Sequence, residues 1–363
     1  MTLAAAAQIG DWLEGRRRRQ RLSLIACAAL LAVTFLAAAG QGAVPLGPLE
    51  IVTILLHAVG LPGFVEVTPT EANVFLAIRL PRACLTVLSG AALAMSGAAL
   101  QGLFRNPLAD PGLIGVSSGA AIGVIGVILF ASALGALLPH FLMAWLVPLA
   151  AFVGAAVTVL LVYRIGAAGG RINVVTMLLA GIAINAMAGA AIGLSVFVAS
   201  DEQLRDLNFW MLGSLASATW EAVLFAAPCV IAPTLVFLVL ARSLNALLLG
   251  EAEAKHLGFD VERAKRMILV CAALATGGTV AFTGIIAFVG LVVPHMIRLL
   301  LGPDNRQLLP LAALCGASLL LVADLAARLI VLPAELPIGV ITSAIGGPFF
   351  IWLLLRQQGR GEL

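Results

Sequence analysis

The sequence predicts an all-α protein, a polytopic membrane helical bundle of about ten transmembrane helices. Three observations support that expectation. Of 363 residues, 62% are hydrophobic and only 11% are charged, and the mean hydropathy is +1.10. Apolar stretches of about twenty residues, each long enough to cross a hydrocarbon core of roughly 30 Å, recur along the whole chain. Once those stretches are counted, the basic residues sort to one side of the bilayer. The net charge of +3 therefore reports topology and not nucleic-acid binding.

The arginines Arg16, Arg17, Arg18, Arg19 and Arg21 precede an apolar run from Leu22 to Ala39. That run is long for the apolar region of a secretory signal, so residues 1–21 read as a basic cytoplasmic N-terminus and 22–40 as the first span. Further spans fall near 83–104, 113–134, 141–163, 174–198, 221–241, 267–282, 284–301, 309–327 and 337–355. Residues 1–363 read as a single transmembrane domain. An even span count returns the C-terminus to the cytoplasm. Arg105, Arg164, Arg171, Arg242, Lys255, Arg263, Lys265, Arg266, Arg298, Arg306, Arg356 and Arg360 then fall inside, and Arg79, Arg82, Arg205 and Arg328 outside. Cys27, Cys84, Cys229, Cys271 and Cys315 lie in or beside apolar runs without metal or redox spacing, and read as small buried hydrophobes.

Between the second and third spans lies a polar run, Arg105-Asn106-Pro107-Leu108-Ala109-Asp110-Pro111-Gly112. Its two prolines interrupt any continuous helix, and Asn106 and Asp110 offer side chains to the backbone groups so freed. A break of this kind suits a moving part of a transporter. Small residues at Gly90, Ala94 and Gly97, and at Gly189 and Gly193, predict close helix packing. Ala91–Gly97 resembles Ala272–Gly278 on a helix expected to run the other way, as in an inverted repeat.

Residues 243–266 form the longest internal cytoplasmic connection and read as two short helices around a turn at Gly258-Phe259-Asp260. Glu251-Ala252-Glu253-Ala254-Lys255-His256-Leu257-Gly258 combines charge with good helical propensity, which suits docking to a cytoplasmic partner.

At this point several long motifs stand in order. Arg79-Leu80-Pro81-Arg82, Gly97–Gly102, Asn106–Gly119, Glu251–Gly258, Gly290–His295 and Glu335-Leu336-Pro337-Ile338-Gly339 together resemble the FecCD family, permease subunits of ATP-driven importers for ferric siderophores, haem and cobalamin. The resemblance runs from about Phe75 to the C-terminus. It implies a type II ABC importer permease fold and a homodimer of ten-helix subunits. It further implies two cytoplasmic ATP-binding subunits, a periplasmic substrate-binding protein and a multi-pass location in the bacterial inner membrane. The chain's only lysines, Lys255 and Lys265, each follow an alanine, so no P-loop ends in Gly-Lys-Ser or Gly-Lys-Thr. The chain is accordingly expected to be no enzyme and to bind no cofactor or metal, with ATP and Mg on the partner subunit.

By resemblance, Glu251 to Gly258 is the coupling helix that enters a groove of the ATPase, and Arg79, Arg82 and Arg328 dock the binding protein as exposed arginines. Asn106, Pro107 and Leu108 flank the cytoplasmic gate. The 164–176 loop forms its other part, although Val174 and Val175 stand where the cobalamin relative has a Ser/Thr pair. The segment Gln203 to Leu215 looks more like the haem permeases than the cobalamin one, which points to haem as cargo, with ferric siderophore or cobalamin as the alternatives. Arg205 either faces the pathway mouth or pairs with Asp201, Glu202 or Asp206. Asn185 and Asp324 are the clearest polar residues at depth, Asp324 one turn from Arg328, while His295 reads as a packed or capping histidine. An ion-coupled secondary transporter is the alternative reading, but it would call for more ionisable groups at mid-membrane.

Overall fold

The computed structural model describes residues 3–42, 44–168, 171–331 and 334–358. Helix α1 (Leu3–Gly40) runs from the basic segment into the first apolar stretch without a break. Next come α2 (Pro48–Ala58), α3 (Pro69–Asn73) and a π-helical turn, Val74–Arg79, that leads into α4 (Leu80–Phe104). A 3-10 turn, Pro111–Ile114, precedes α5 (Val116–Leu129), α6 (Ala131–Leu137) and α7 (His140–Gly166). A small antiparallel hairpin, β1 (Ala167–Ala168) with β2 (Arg171–Ile172), pairs Ala167 with Ile172 and Ala168 with Arg171. Beyond it lie α8 (Val174–Val198), α9 (Asp201–Leu212), α10 (Trp220–Leu249) and α11 (Glu251–His256). The chain continues through α12 (Val261–Thr283), α13 (Val289–Leu301), α14 (Asn305–Leu329) and α15 (Ile338–Gln358).

Local chemistry fixes the helix starts. Thr68 with Glu71, and Ser200 with Gln203, form reciprocal capping boxes, while Asp260 accepts from Arg263 N at 3.0 Å to open α12. Each of the ten predicted stretches contains a helix, although α13 starts only at Val289 and 113–134 is divided between a 3-10 turn, α5 and α6. Seven described helices are long and apolar enough to span a membrane, and Val116–Leu129, Val289–Leu301 and Ile338–Leu353 are shorter apolar helices. Among the described residues α2, α3, α9 and the β-hairpin lie outside the predicted set. The apolar helix α2 packs Ile51 and Ile54 with Ala39, Leu46 and Phe75, and the hairpin precedes α8.

α4 is the hub, packed against α10, α12, α13 and α14. A methyl group at Gly97 would overlap the carbonyl of Gly290, and one at Gly90 the carbonyl of Gly316, so backbone meets backbone at both crossings. The predicted close packing therefore holds for Gly90 and Gly97. It does not hold for Gly189 and Gly193, where an added methyl would meet nothing within 4 Å among the described residues.

The connection between α10 and α12 is shorter than the sequence suggested. α10 continues to Leu249 because Ser243 to Leu249 is helix-compatible and largely apolar, and the expected second charged helix is the opening turn of α12. Only α11 and its flanking turns stand between the two long helices.

Candidate functional site

The candidate residues collect at two opposite ends of the bundle. Asn245 near the end of α10 donates to Asp304 Oδ1 at 2.7 Å and accepts from Asn305 N at 2.8 Å, which sets the start of α14 beside α11. The far end of α14 carries Asp324 and Arg328, so those residues lie away from α11.

At the first end, α11 is bracketed by Gly250 at φ +130° and Gly258 at φ +85°, both in the region that favours glycine. Gly258 N donates to Lys255 O at 2.9 Å and Phe259 N to Ala254 O at 3.1 Å, which closes the helix. Ala254 is fully buried and anchors the helix, while Ala252, Glu253, Lys255, His256, Leu257 and Gly258 are exposed. Leu257, 60% exposed, is an apolar residue held out on a fastened tip.

The fastening uses a residue to which the sequence assigned no role. Lys265 is 1% exposed, and its Nζ lies 2.6 Å from Glu251 Oε1 and 3.5 Å from Glu262 Oε1. The same nitrogen donates to Ile172 O at 3.0 Å, and Glu262 Oε2 accepts from Ile172 N at 2.9 Å. One buried ammonium thus ties α11, α12 and the β-hairpin together. The hairpin leads through Asn173, whose side chain caps α8, into Val174 and Val175, the latter 66% exposed.

The polar run after α4 behaves as its residues require. Arg105 ends α4 in the left-handed region at φ +48°, Asn106 Oδ1 accepts from Leu108 N at 2.9 Å, and Asp110 Oδ1 accepts from Gly112 N at 2.8 Å. Burial pushes the Asp110 carboxyl upward, and the Gly112 N–H pulls it back. Pro107 and Leu108 are exposed, Leu108 at 38%. Asn185 clamps this run to α8: its Nδ2 donates to Gly112 O at 3.1 Å, and its Oδ1 accepts from Ser118 Oγ at 2.7 Å. Both ends of the amide are thus engaged inside the chain.

At the opposite end, the expectation of exposed arginines is overturned. Arg79, Arg82 and Arg328 are only 6%, 8% and 9% exposed. Arg79 Nη1 donates to Gly40 O at 2.8 Å and its Nη2 to Val44 O, while Arg328 donates to Gln41 O at 3.1 Å and Ala38 O at 2.9 Å. The physical reason is the C-terminus of α1, whose last carbonyls have no helical partner and attract cations. Arg82 instead meets carboxylates. Its Nε and Nη2 donate to Asp324 Oδ1 at 3.0 and 2.8 Å, and its Nη1 and Nη2 to Glu335 Oε1 and Oε2 at 3.0 and 2.9 Å. Asp324 Oδ2 lies 3.2 Å from Arg328 Nε, the pairing that the one-turn spacing suggested.

Arg205 is exposed on α9 and has no ion pair with Asp201, Glu202 or Asp206 among the described residues. His295 is packed at 6% exposure, and neither ring nitrogen finds a hydrogen-bond partner among the described residues. Among the described residues no group of three or more His, Cys, Asp or Glu side chains comes together to hold a metal ion.

Comparison with known proteins gives a consistent picture. The sequence model of the FecCD transport family matches residues 30–356. The hemin transport system permease protein HmuU of Yersinia pestis is 47% identical over 79% of this chain and 84% of its own length. The cobalamin import system permease protein BtuC of Halobacterium salinarum is 43% identical over 80% of this chain and 76% of its own. A solved structure described as a metal-chelate type ABC transporter in an inward-facing conformation superposes with a TM-score of 0.79 at 30% identity, covering 92% of this chain and 98% of that one.

Proposed function

The chain belongs to the FecCD transport family and is an ABC importer permease, and on that premise we propose that it carries haem from a periplasmic binding protein to the cytoplasm. The observation that supports an ATP-driven mechanism best is α11. An exposed apolar tip at Leu257 is held on a short helix that Lys265 fastens to α12 and to the hairpin before α8. A partner pressing on Leu257 moves a rigid body and not a loose loop. The partner is a cytoplasmic ATP-binding subunit, two per homodimer, which binds ATP and Mg; this chain contributes no ATPase site.

In the homodimer, Gly189 and Gly193 of α8, a Gly-x-x-x-Gly pair with nothing against it among the described residues, face the second copy. Val174, Val175, Asn106, Pro107 and Leu108 form the cytoplasmic gate, Arg205 and Asn185 belong to the substrate pathway, and the Arg82 end faces the binding protein in the periplasm. The bacterial inner membrane is the location this arrangement requires. Haem is favoured over cobalamin by the 47% identity with the hemin permease, against 43% for the cobalamin permease. Proteoliposomes containing this chain, its ATP-binding subunit and its binding protein test the cargo. Uptake of hemin in preference to cyanocobalamin and ferric siderophore is expected, and preferential uptake of either competitor overturns the assignment.

A further inference from the structure

The two carboxylates on Arg82 differ in kind. Asp324 is 2% exposed and shared, with Oδ1 accepting from Arg82 and Oδ2 facing Arg328. Its removal would leave the buried Arg328 guanidinium without a carboxylate partner and Arg82 with Glu335 alone, so it is fixed. Glu335 sits in the short connection between α14 and α15, and its side chain is 39% exposed. It grips Arg82 with both oxygens, at 3.0 and 2.9 Å, in the geometry that guanidinium and carboxylate groups prefer. A half-exposed carboxylate that lets go of Arg82 regains water at once, so the exchange of one carboxylate for another here is nearly balanced.

We infer that the outer face of Arg82 is a carboxylate-binding site that the chain fills with its own Glu335, and that a glutamate or aspartate of the docking binding protein takes Glu335's place. This rests on the reading that the Arg82 end faces the binding protein. It also explains how an arginine 8% exposed can take part in docking: its fork is occupied by a group that leaves easily. Arg79 and Arg328, held by the carbonyls that end α1, frame the site and keep α1 in place. Glu335 then acts as a tethered competitor that sets how tightly the partner binds.

The test measures association of the separately purified binding protein of this transport system with the full complex in nanodiscs. Glu335→Gln and Glu335→Ala should each tighten association, by up to about fivefold, the worth of an exposed ion pair. Arg82→Lys keeps the charge that Asp324 needs but loses the fork, and should weaken association. Arg82→Lys combined with Glu335→Gln should be as weak as Arg82→Lys alone. Unchanged or weaker association in both Glu335 variants, with Arg82→Lys still weakening it, overturns the exchange while docking at Arg82 stands. Unchanged association in Arg82→Lys, with the complex intact by its thermal melt, overturns the docking reading and the exchange with it.

Discussion

α4 and α8 are each 25 residues long, both apolar and both supplied with glycine, yet they have opposite surroundings. In the span that contains α4, 78% of the most apolar stretch is buried, against 22% in α8. Gly90 and Gly97 let α4 lie backbone to backbone against Gly316 and Gly290, whereas Gly189 and Gly193 face open space. The difference teaches that small residues mark where a helix can approach another, and not whether the other belongs to the same chain. α4 organises the single subunit. α8 presents a surface that one subunit leaves uncovered, which fits the proposed homodimer.

The comparison is broken most directly by equal substitutions in the two helices. Gly97→Leu forces a side chain into the Gly290 backbone, which has little room to shift, and should destabilise the subunit by about 3 kcal/mol or more. Gly189→Leu should leave the subunit's thermal melt within about 0.5 kcal/mol of the parent, as at an unconstrained surface position, and should reduce the dimer fraction in size-exclusion chromatography with light scattering. Equal melting losses in both variants would erase the distinction between the helices.

Lys265 joins the packed half to the open half, because α12 lies on α4 and the hairpin that Lys265 holds leads into α8. Lys265→Met should cost less than the roughly 3–5 kcal/mol of a wholly buried pair, since the Glu251 side chain is 41% exposed. Its larger effect should be on coupling, with ATP hydrolysis by the complex retained while uptake falls at least about tenfold. Retained uptake would show that the hairpin does not transmit motion from α11.

Asn185→Ala removes the clamp between α8 and the run that follows α4. It should loosen that run by about 1–3 kcal/mol, the cost of leaving its partners unsatisfied, seen as faster amide hydrogen exchange at residues 108–115 with the global melt little changed. The smallest disturbance is Leu108→Cys in a background without the five native cysteines. It should crosslink across the dimer in one nucleotide state and lose the crosslink in another. Zero crosslinking in every state, with transport intact, places this residue off the two-fold axis.

The helices were legible because apolar length and broken periodicity are local properties, and every predicted stretch contains a helix. The asparagine and aspartate turns at Asn106 and Asp110 were legible for the same reason, since each side chain bonds a backbone group two residues on. What escaped the sequence were partners far away in it. Arg82 reads as an exposed docking residue until Asp324 and Glu335 are brought against it, and Lys265 reads as a surface cation until Glu251, Glu262 and Ile172 enclose it. In an apolar bundle a charged residue is either at a water-facing end or neutralised by a partner, and linear order does not say which. The connection after α10 is shorter than expected because Ser243 to Leu249 carries no helix-stopping residue before Gly250.

The central claim, that an ATP-binding partner drives this permease through α11, is tested most directly by measuring hemin uptake and ATP hydrolysis together in proteoliposomes carrying Leu257→Asp. The substitution places a charge on the tip at a side chain that is 60% exposed, and leaves the buried anchor Ala254 in place. The account predicts that the variant inserts and melts like the parent, while transport-coupled hydrolysis and uptake both fall to background. Normal coupled hydrolysis and uptake in that variant, or uptake driven by an ion gradient without the ATP-binding subunit, would contradict it.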